Sequence, residues 1–254
     1  KALTLEGANE FKLDIIQNMN VIAERFYVKG VERFNGQDYS SAANLFIEAA
    51  KVKEEIGVFD TAAVYNAGLC AELSNDNKLA LTQYRKVYEA GLRKPNIYTS
   101  LINVSLKSGD TTTAMNYATE GLQLFPEDFS ILIAETNIFL AKNMTEQALK
   151  NLEIAKSLDQ TNPSIFFAVG VSYDRLGNFQ KAEEAYLKAI ELKPDYFDAI
   201  YNLGALYVNK AATTLDEANL LPLEKEKEYN EMKNLAESHL DKAIPFLEKA
   251  HQLD

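Results

Sequence analysis

Cysteine is nearly absent from these 254 residues. Cys70 stands alone, which excludes an intramolecular disulfide and a cluster of thiolate metal ligands. Histidine is almost as scarce, and His239 and His251 lie too far apart on one helix to share a metal ion. No uninterrupted apolar run approaches the roughly 18 residues that read as a membrane-spanning helix. Positive charge is the minority sign: 26 Lys and Arg against 37 Asp and Glu give a net charge of -11. Such a chain repels phosphate backbones and anionic lipid surfaces, and it carries no basic run to offset this. The spacings HExxH, GxSxG, the phosphate-binding loop and GxGxxG do not occur. No catalytic residue, metal or cofactor is therefore expected, and neither is a nucleic-acid partner or insertion into a membrane. Cys70 itself reads as a buried filler, not a nucleophile.

What the chain does have is hydrophobic content, 47%, and a period. The segment Leu176 to Pro194 reads as a turn at Gly177-Asn178, an amphipathic helix and a stop. The same pattern returns at steps of 34 residues. A small residue recurs at Ala80, Ala114, Ala148 and Ala182, and Pro126 and Pro194 stand two periods apart. The first half of the unit repeats as well. Tyr65-Asn66-Ala67-Gly68-Leu69 aligns with Phe167-Ala168-Val169-Gly170-Val171 and with Tyr201-Asn202-Leu203-Gly204-Ala205. A glycine inside a helix costs about 1 kcal/mol against alanine, so a repeated one implies a close approach of two helices.

A unit of 34 residues with this order of large, Gly, Tyr, Ala, aromatic, Ala and Pro positions resembles the tetratricopeptide repeat. The stretch from Pro163 to Pro194 carries it most fully, at Phe166, Gly170, Tyr173, Gly177, Phe179, Ala182, Tyr186, Ala189 and Pro194. Tryptophan, which the family prefers, is absent, and Phe, Tyr, Val and Leu stand in. The resemblance implies an all-α chain, a right-handed α-solenoid of about six helix–turn–helix units. They are expected at 23–56, 61–94, 95–128, 129–162, 163–196 and 197–254, after an N-terminal helical extension over 1–22. Ile102 and Thr136 replace the glycine in the third and fourth units, so those two hairpins are expected to pack less tightly.

The sixth unit is enlarged. Its small residue comes late, at Ala243, and a helical insertion over about 210–238 separates it from the first helix. Pro222 at a first helical position, followed by Glu224 and Glu226, marks the second arm. One long antiparallel hairpin follows, projecting roughly 10–20 Å beyond the array at 1.5 Å per residue. A polar cap and a docking or homodimerisation arm are both open readings, the cap being favoured. Pro245 is expected to bend the last helix. Ahead of the first unit, Leu13, Ile16, Asn20, Ala23 and Tyr27 share one helical stripe, with residues 1 to 8 poorly anchored.

In the resembled family the first helix of each unit lines a concave face, and its fifth, ninth and twelfth or thirteenth positions meet the ligand. Carried over, these include Tyr27, Tyr65, Thr99, Ile133, Phe167 and Tyr201, then Leu69, Asn103, Asn137 and Val171, then Asp174 and Asn209. No fifth position is Lys, which departs from the subclass that clamps an acidic C-terminal tail. The groove is aromatic and amide-lined, suited to a protein or peptide segment. The resemblance implies a non-enzymatic binding scaffold. The alternative is a regulatory or targeting region of a larger enzyme or assembly. The sequence opens on Lys1; a bacterial, periplasmic location is the expectation, with the cytoplasm as the alternative.

Overall fold

Each period of the sequence becomes a pair of helices joined by a turn of one design. The computed structural model describes residues 11–253 and holds, among them, twelve α-helices and no strand. The chain divides within α7 into two compact halves, one ending at Ala134 and the other starting at Glu135. The N-terminal half contains α1 (Lys12–Asn35), α2 (Tyr39–Glu54), α3 (Thr61–Leu73), α4 (Asn77–Glu89), α5 (Pro95–Lys107), α6 (Thr111–Leu124) and the start of α7 (Phe129–Ala141). The C-terminal half continues with α8 (Thr145–Leu158), α9 (Pro163–Arg175), α10 (Phe179–Leu192), α11 (Phe197–Asn219) and α12 (Glu226–Leu253). The arrangement is an all-α helical-repeat solenoid. The expected poor anchoring of residues 1 to 8 lies outside the described residues.

The hairpin turns recur in register. Gln37, Asn75, Gly109, Asn143 and Gly177 all have positive φ, between 57° and 78°. At each, the next residue's backbone N–H donates to a carbonyl five residues back: Asp38 to Arg33, Asp76 to Ala71, Asp110 to Ser105, Met144 to Phe139 and Asn178 to Tyr173. This left-handed closure satisfies carbonyls that the ending helix leaves free. The same next residue then caps the new helix. Asp38, Asp76, Asp110 and Asn178 accept from the backbone N–H of Ser41, Leu79, Thr113 and Lys181.

Inside the hairpins, Ala80, Ala114, Ala148 and Ala182 are all fully buried. The glycines mark close approach. A Cβ on Gly68 would fall 2.7 Å from the Tyr84 ring, and one on Gly170 would fall 2.6 Å from the Tyr186 ring. In the two units without this glycine the equivalent positions are filled differently. Ile102 and Thr136 are buried, and the second helices carry Ala118 and Leu152 where Tyr84 and Tyr186 stand in neighbouring units. The larger residue thus stands on the first helix in the third unit and on the second helix in the units with glycine.

One further expectation needs adjustment, on α1. Ile16, Asn20, Ala23 and Tyr27 are buried or half-buried on α1, and Asn20 accepts from Lys53 of α2 at 2.6 Å. Leu13, on the same stripe, is exposed. In the C-terminal half, α11 has 23 residues against 13 in α9, so it runs about 15 Å further at 1.5 Å per residue. A 3-10 turn at Leu223–Lys225 leads into α12, which continues as one helix through Pro245. Ion pairs Lys225–Glu228 and Lys227–Glu231 run along this arm, while its tip exposes Leu220 and Leu223 at 84% and 97%.

Candidate functional site

Helix α3 separates two clefts in the N-terminal half. Its residues Asn66, Leu69 and Cys70 join Val31 and Phe34 of α1 and Phe46 of α2 around a pocket of about 190 Å³. That pocket is apolar in character. Burial pushes the Cys70 thiol up to about 11, so it remains protonated and acts as a small filler in the wall. Tyr65, on the same helix, borders a second cleft of about 360 Å³ with Pro95, Asn96, Thr99 and Ser100 of α5, Asp128, and Ser130 of α7. Five of these seven residues, Tyr65, Asn96, Thr99, Ser100 and Ser130, carry a hydroxyl or an amide. Asp128 accepts from the Ile131 backbone N–H at 3.0 Å, which fixes the start of α7 beside the cleft.

The helical repeat explains why these residues converge. Asn96, Thr99, Ser100 and Asn103 follow the i, i+3, i+4, i+7 spacing of one helix face. Tyr65 OH lies 3.5 Å from Ser100 Oγ, and its ring tilts against Tyr84 at 5.5 Å between centroids. Tyr27 accepts from Asn66 Nδ2 at 2.8 Å and meets Phe46 edge-on at 5.1 Å. Tyr27 and Tyr65 therefore brace neighbouring helices while presenting part of their surface. Asn103 is exposed and Ile133 is half-buried.

In the C-terminal half the aromatic positions behave differently. Phe167 packs between Tyr186 and Tyr196, at 6.0 and 5.3 Å, and Val171 joins the same core. Asp174 is half-buried, and desolvation raises its carboxyl above the ordinary value. Tyr201 is 51% exposed and stacks on Phe197, while Asn137 and Asn209 are exposed. The structure thus brings Tyr65 with Thr99 into one cleft and Leu69 with Val31 into the other. Asn66, Asn96, Ser100 and Ser130 line these clefts and were not singled out in the sequence. Helical spacing from Tyr65 and Thr99 points to Asn96 and Ser100; Asn66 and Ser130 follow from the same register in adjoining helices.

No helix among the described residues is long and apolar enough to cross a membrane. Among them, no group of three or more His, Cys, Asp or Glu side chains is placed to hold a metal ion.

Comparison with known proteins agrees with this architecture. The family pattern described as "Tetratricopeptide repeat" matches residues 27–92, and one described as "TPR repeat" matches 173–210. Tetratricopeptide repeat-containing protein trd-1 of Caenorhabditis elegans is 30% identical over 146 residues, covering 55% of this chain and 18% of that protein. Superkiller complex protein 3 of Mus musculus is 23% identical over 251 residues, covering 90% of this chain and 16% of that protein. The chain thus spans under a fifth of the length of these two relatives. The crystal structure of YrrB, a TPR protein with an unusual peptide-binding site, has the same fold. It matches with a TM-score of 0.59 at 20% identity, over 70% of this chain and 89% of its own. Proteins of this fold serve protein–protein interaction. Repeated hairpin, left-handed turn, buried alanine and matched family pattern together identify the chain as a tetratricopeptide-repeat protein.

Proposed function

We propose that the chain is a non-enzymatic scaffold that holds a peptide segment of a partner protein on α3 and α5 of its N-terminal half. The observation that carries this reading is the pair of clefts bordered by α3, one apolar and one lined by hydroxyl and amide groups. A peptide has the same two needs. An apolar side chain gains by leaving water, at about 25 cal/mol per Å² buried. Its backbone N–H and C=O groups need partners once they are desolvated. Leu69, Phe34 and Phe46 meet the first need, and Asn96, Thr99 and Ser100 the second. YrrB, a TPR protein of the same fold with an unusual peptide-binding site, adds support by likeness of fold.

Selection of peptides by display on the whole chain, followed by calorimetric titration, tests this. Leu69→Asp is expected to weaken a selected peptide at least tenfold, and Asn96→Ala by a smaller factor. Binding that survives both substitutions unchanged removes the proposal.

A second reading makes the chain the interaction region of a larger protein or assembly. It draws on the short span of the chain along its relatives. The full reading frame in the source genome decides it. Export to the bacterial periplasm belongs to the proposal as well, through the enlarged final unit; fractionation of the source cells tests that.

A further inference from the structure

The first helices of consecutive units are joined by side-chain contacts that span 35 residues. Lys107 of α5 donates to Glu72 Oε1 of α3 at 2.7 Å. Glu72 Oε2 accepts from the Tyr84 hydroxyl of α4 at 3.1 Å, so one carboxylate joins an exposed ammonium to a buried phenol. Arg175 of α9 reaches back to the Leu140 carbonyl of α7 at 3.4 Å, where the repeat carries no acid. Three periods after Glu72, Tyr84 and Lys107 stand Asp174 of α9, Tyr186 of α10 and Asn209 of α11. There the chain of contacts is broken. Tyr186 is fully buried, and its hydroxyl has no hydrogen-bond partner among the described residues. Asp174 is half-buried, one methylene shorter than Glu72, and its carboxylate has no ion pair or hydrogen bond among the described residues. Desolvation raises the Tyr186 phenol above its ordinary value and the Asp174 charge raises it further, against the Arg175 charge, so the carboxylate stands within electrostatic reach of the hydroxyl.

We propose that Asp174 receives a lysine side chain of a partner segment, its ammonium taking the place that Lys107 takes at Glu72. A half-buried carboxylate has lost part of its hydration, and a charge-assisted hydrogen bond replaces it. The chain does not supply that cation itself. Arg175 is engaged at Leu140, and Asn209, at the repeat position of Lys107, is exposed and uncharged. The Tyr186 hydroxyl is a buried donor in want of an acceptor, whereas Tyr84 is satisfied by a carboxylate that a cation holds in place. The template also selects the kind of cation. At Glu72 one oxygen serves the cation and the other the phenol, an arrangement that suits the point charge of an ammonium. A guanidinium fork takes both oxygens of a carboxylate and leaves none for the tyrosine. A divalent ion needs more oxygen ligands than one carboxylate, and no group of three or more metal-ligating side chains is placed to hold one among the described residues. The net charge of -11 draws a cationic segment toward the chain. The site lies in the C-terminal half, so the inference does not depend on the clefts bordered by α3.

The test is a titration of the whole chain with the capped tripeptide acetyl-Ala-Lys-Ala-amide, and with its norleucine counterpart, which lacks the charge. NMR of isotope-labelled aspartate carboxyl groups follows it, the Asp174 signal being the one that Asp174→Asn removes. The expected result is a saturable shift of that signal with the lysine peptide, and binding weaker by about fivefold or more with norleucine, the usual worth of one charge-assisted hydrogen bond. Asn209→Lys places on α11 the residue type that α5 carries. It is expected to move the signal by itself and to abolish the response to the peptide, with an unchanged circular dichroism spectrum and melting curve at least as high. Leu69→Asp, which removes the binding proposed on α3, is expected to leave this response intact. A signal that the lysine peptide leaves unmoved overturns the proposal. So does an equal response to norleucine, or a response that survives Asn209→Lys.

Discussion

Gly170 sits so close to Tyr186 that its hydrogen is the largest substituent the hairpin accepts. Gly170→Ala is expected to destabilise the C-terminal half by about 1–3 kcal/mol, the usual cost of overpacking. Denaturant titration checks it, and a second change, Tyr186→Leu, should return part of the loss. His239 makes a different prediction. Its ring packs against Phe179 and Tyr207, at 5.7 and 6.4 Å, and its Nδ1 is buried without a partner. Burial lowers its pKa, with the Lys242 and Lys210 charges adding to the effect and Glu183 opposing it. The folded state thus binds its proton less readily than the unfolded chain. Stability from this site is present above the ordinary histidine value of about 6.5 and declines as pH falls through it. His239→Phe should flatten stability against pH between neutral and mildly acidic conditions. An unchanged slope in that variant would place the dependence elsewhere.

The turn is the element that the period of the sequence encodes most directly. A residue able to adopt positive φ precedes a capping Asp or Asn at four of five hairpins, and Gly109 and Gly177 supply it without strain. Gln37 supplies it at a cost, since a side chain in the left-handed region is disfavoured by roughly 1–2 kcal/mol. Gln37→Gly is expected to raise the melting temperature. Asp60→Ala is expected to lower stability by about 1 kcal/mol, because Asp60 accepts from the Ala63 N–H at the start of α3. The helices, their order and the buried alanines were legible because each depends on local spacing. The partnering of side chains across helices was not. Ile102 in place of the glycine suggests a looser hairpin, and its complete burial could not be read from spacing alone. Likewise Phe167 and Tyr201 share one repeat position. Phe167 is enclosed because Tyr196 and Tyr186 flank it, and Tyr201 is open on a longer helix. Leu69 and Thr99 border the two clefts, but Asn66, Asn96 and Ser100 beside them on the same helices and Ser130 on α7 needed the neighbouring helices to be placed before they could be read as lining.

For the molecule as a whole, charge works against self-association. A net charge of -11 repels other copies of the chain. Salt screens such exposed charges over about 10 Å at 0.1 M. Repulsion between copies should therefore weaken as ionic strength rises, read by sedimentation at matched protein concentration. A peptide held by apolar burial and backbone hydrogen bonds on the N-terminal half should respond much less to salt. The measurement closest to the central claim is calorimetric titration of a display-selected peptide into the chain and into its Leu69→Asp variant, with melting curves for both. The account predicts at least a tenfold loss of affinity in the variant with its helical content retained. Equal affinity in the two proteins would contradict it.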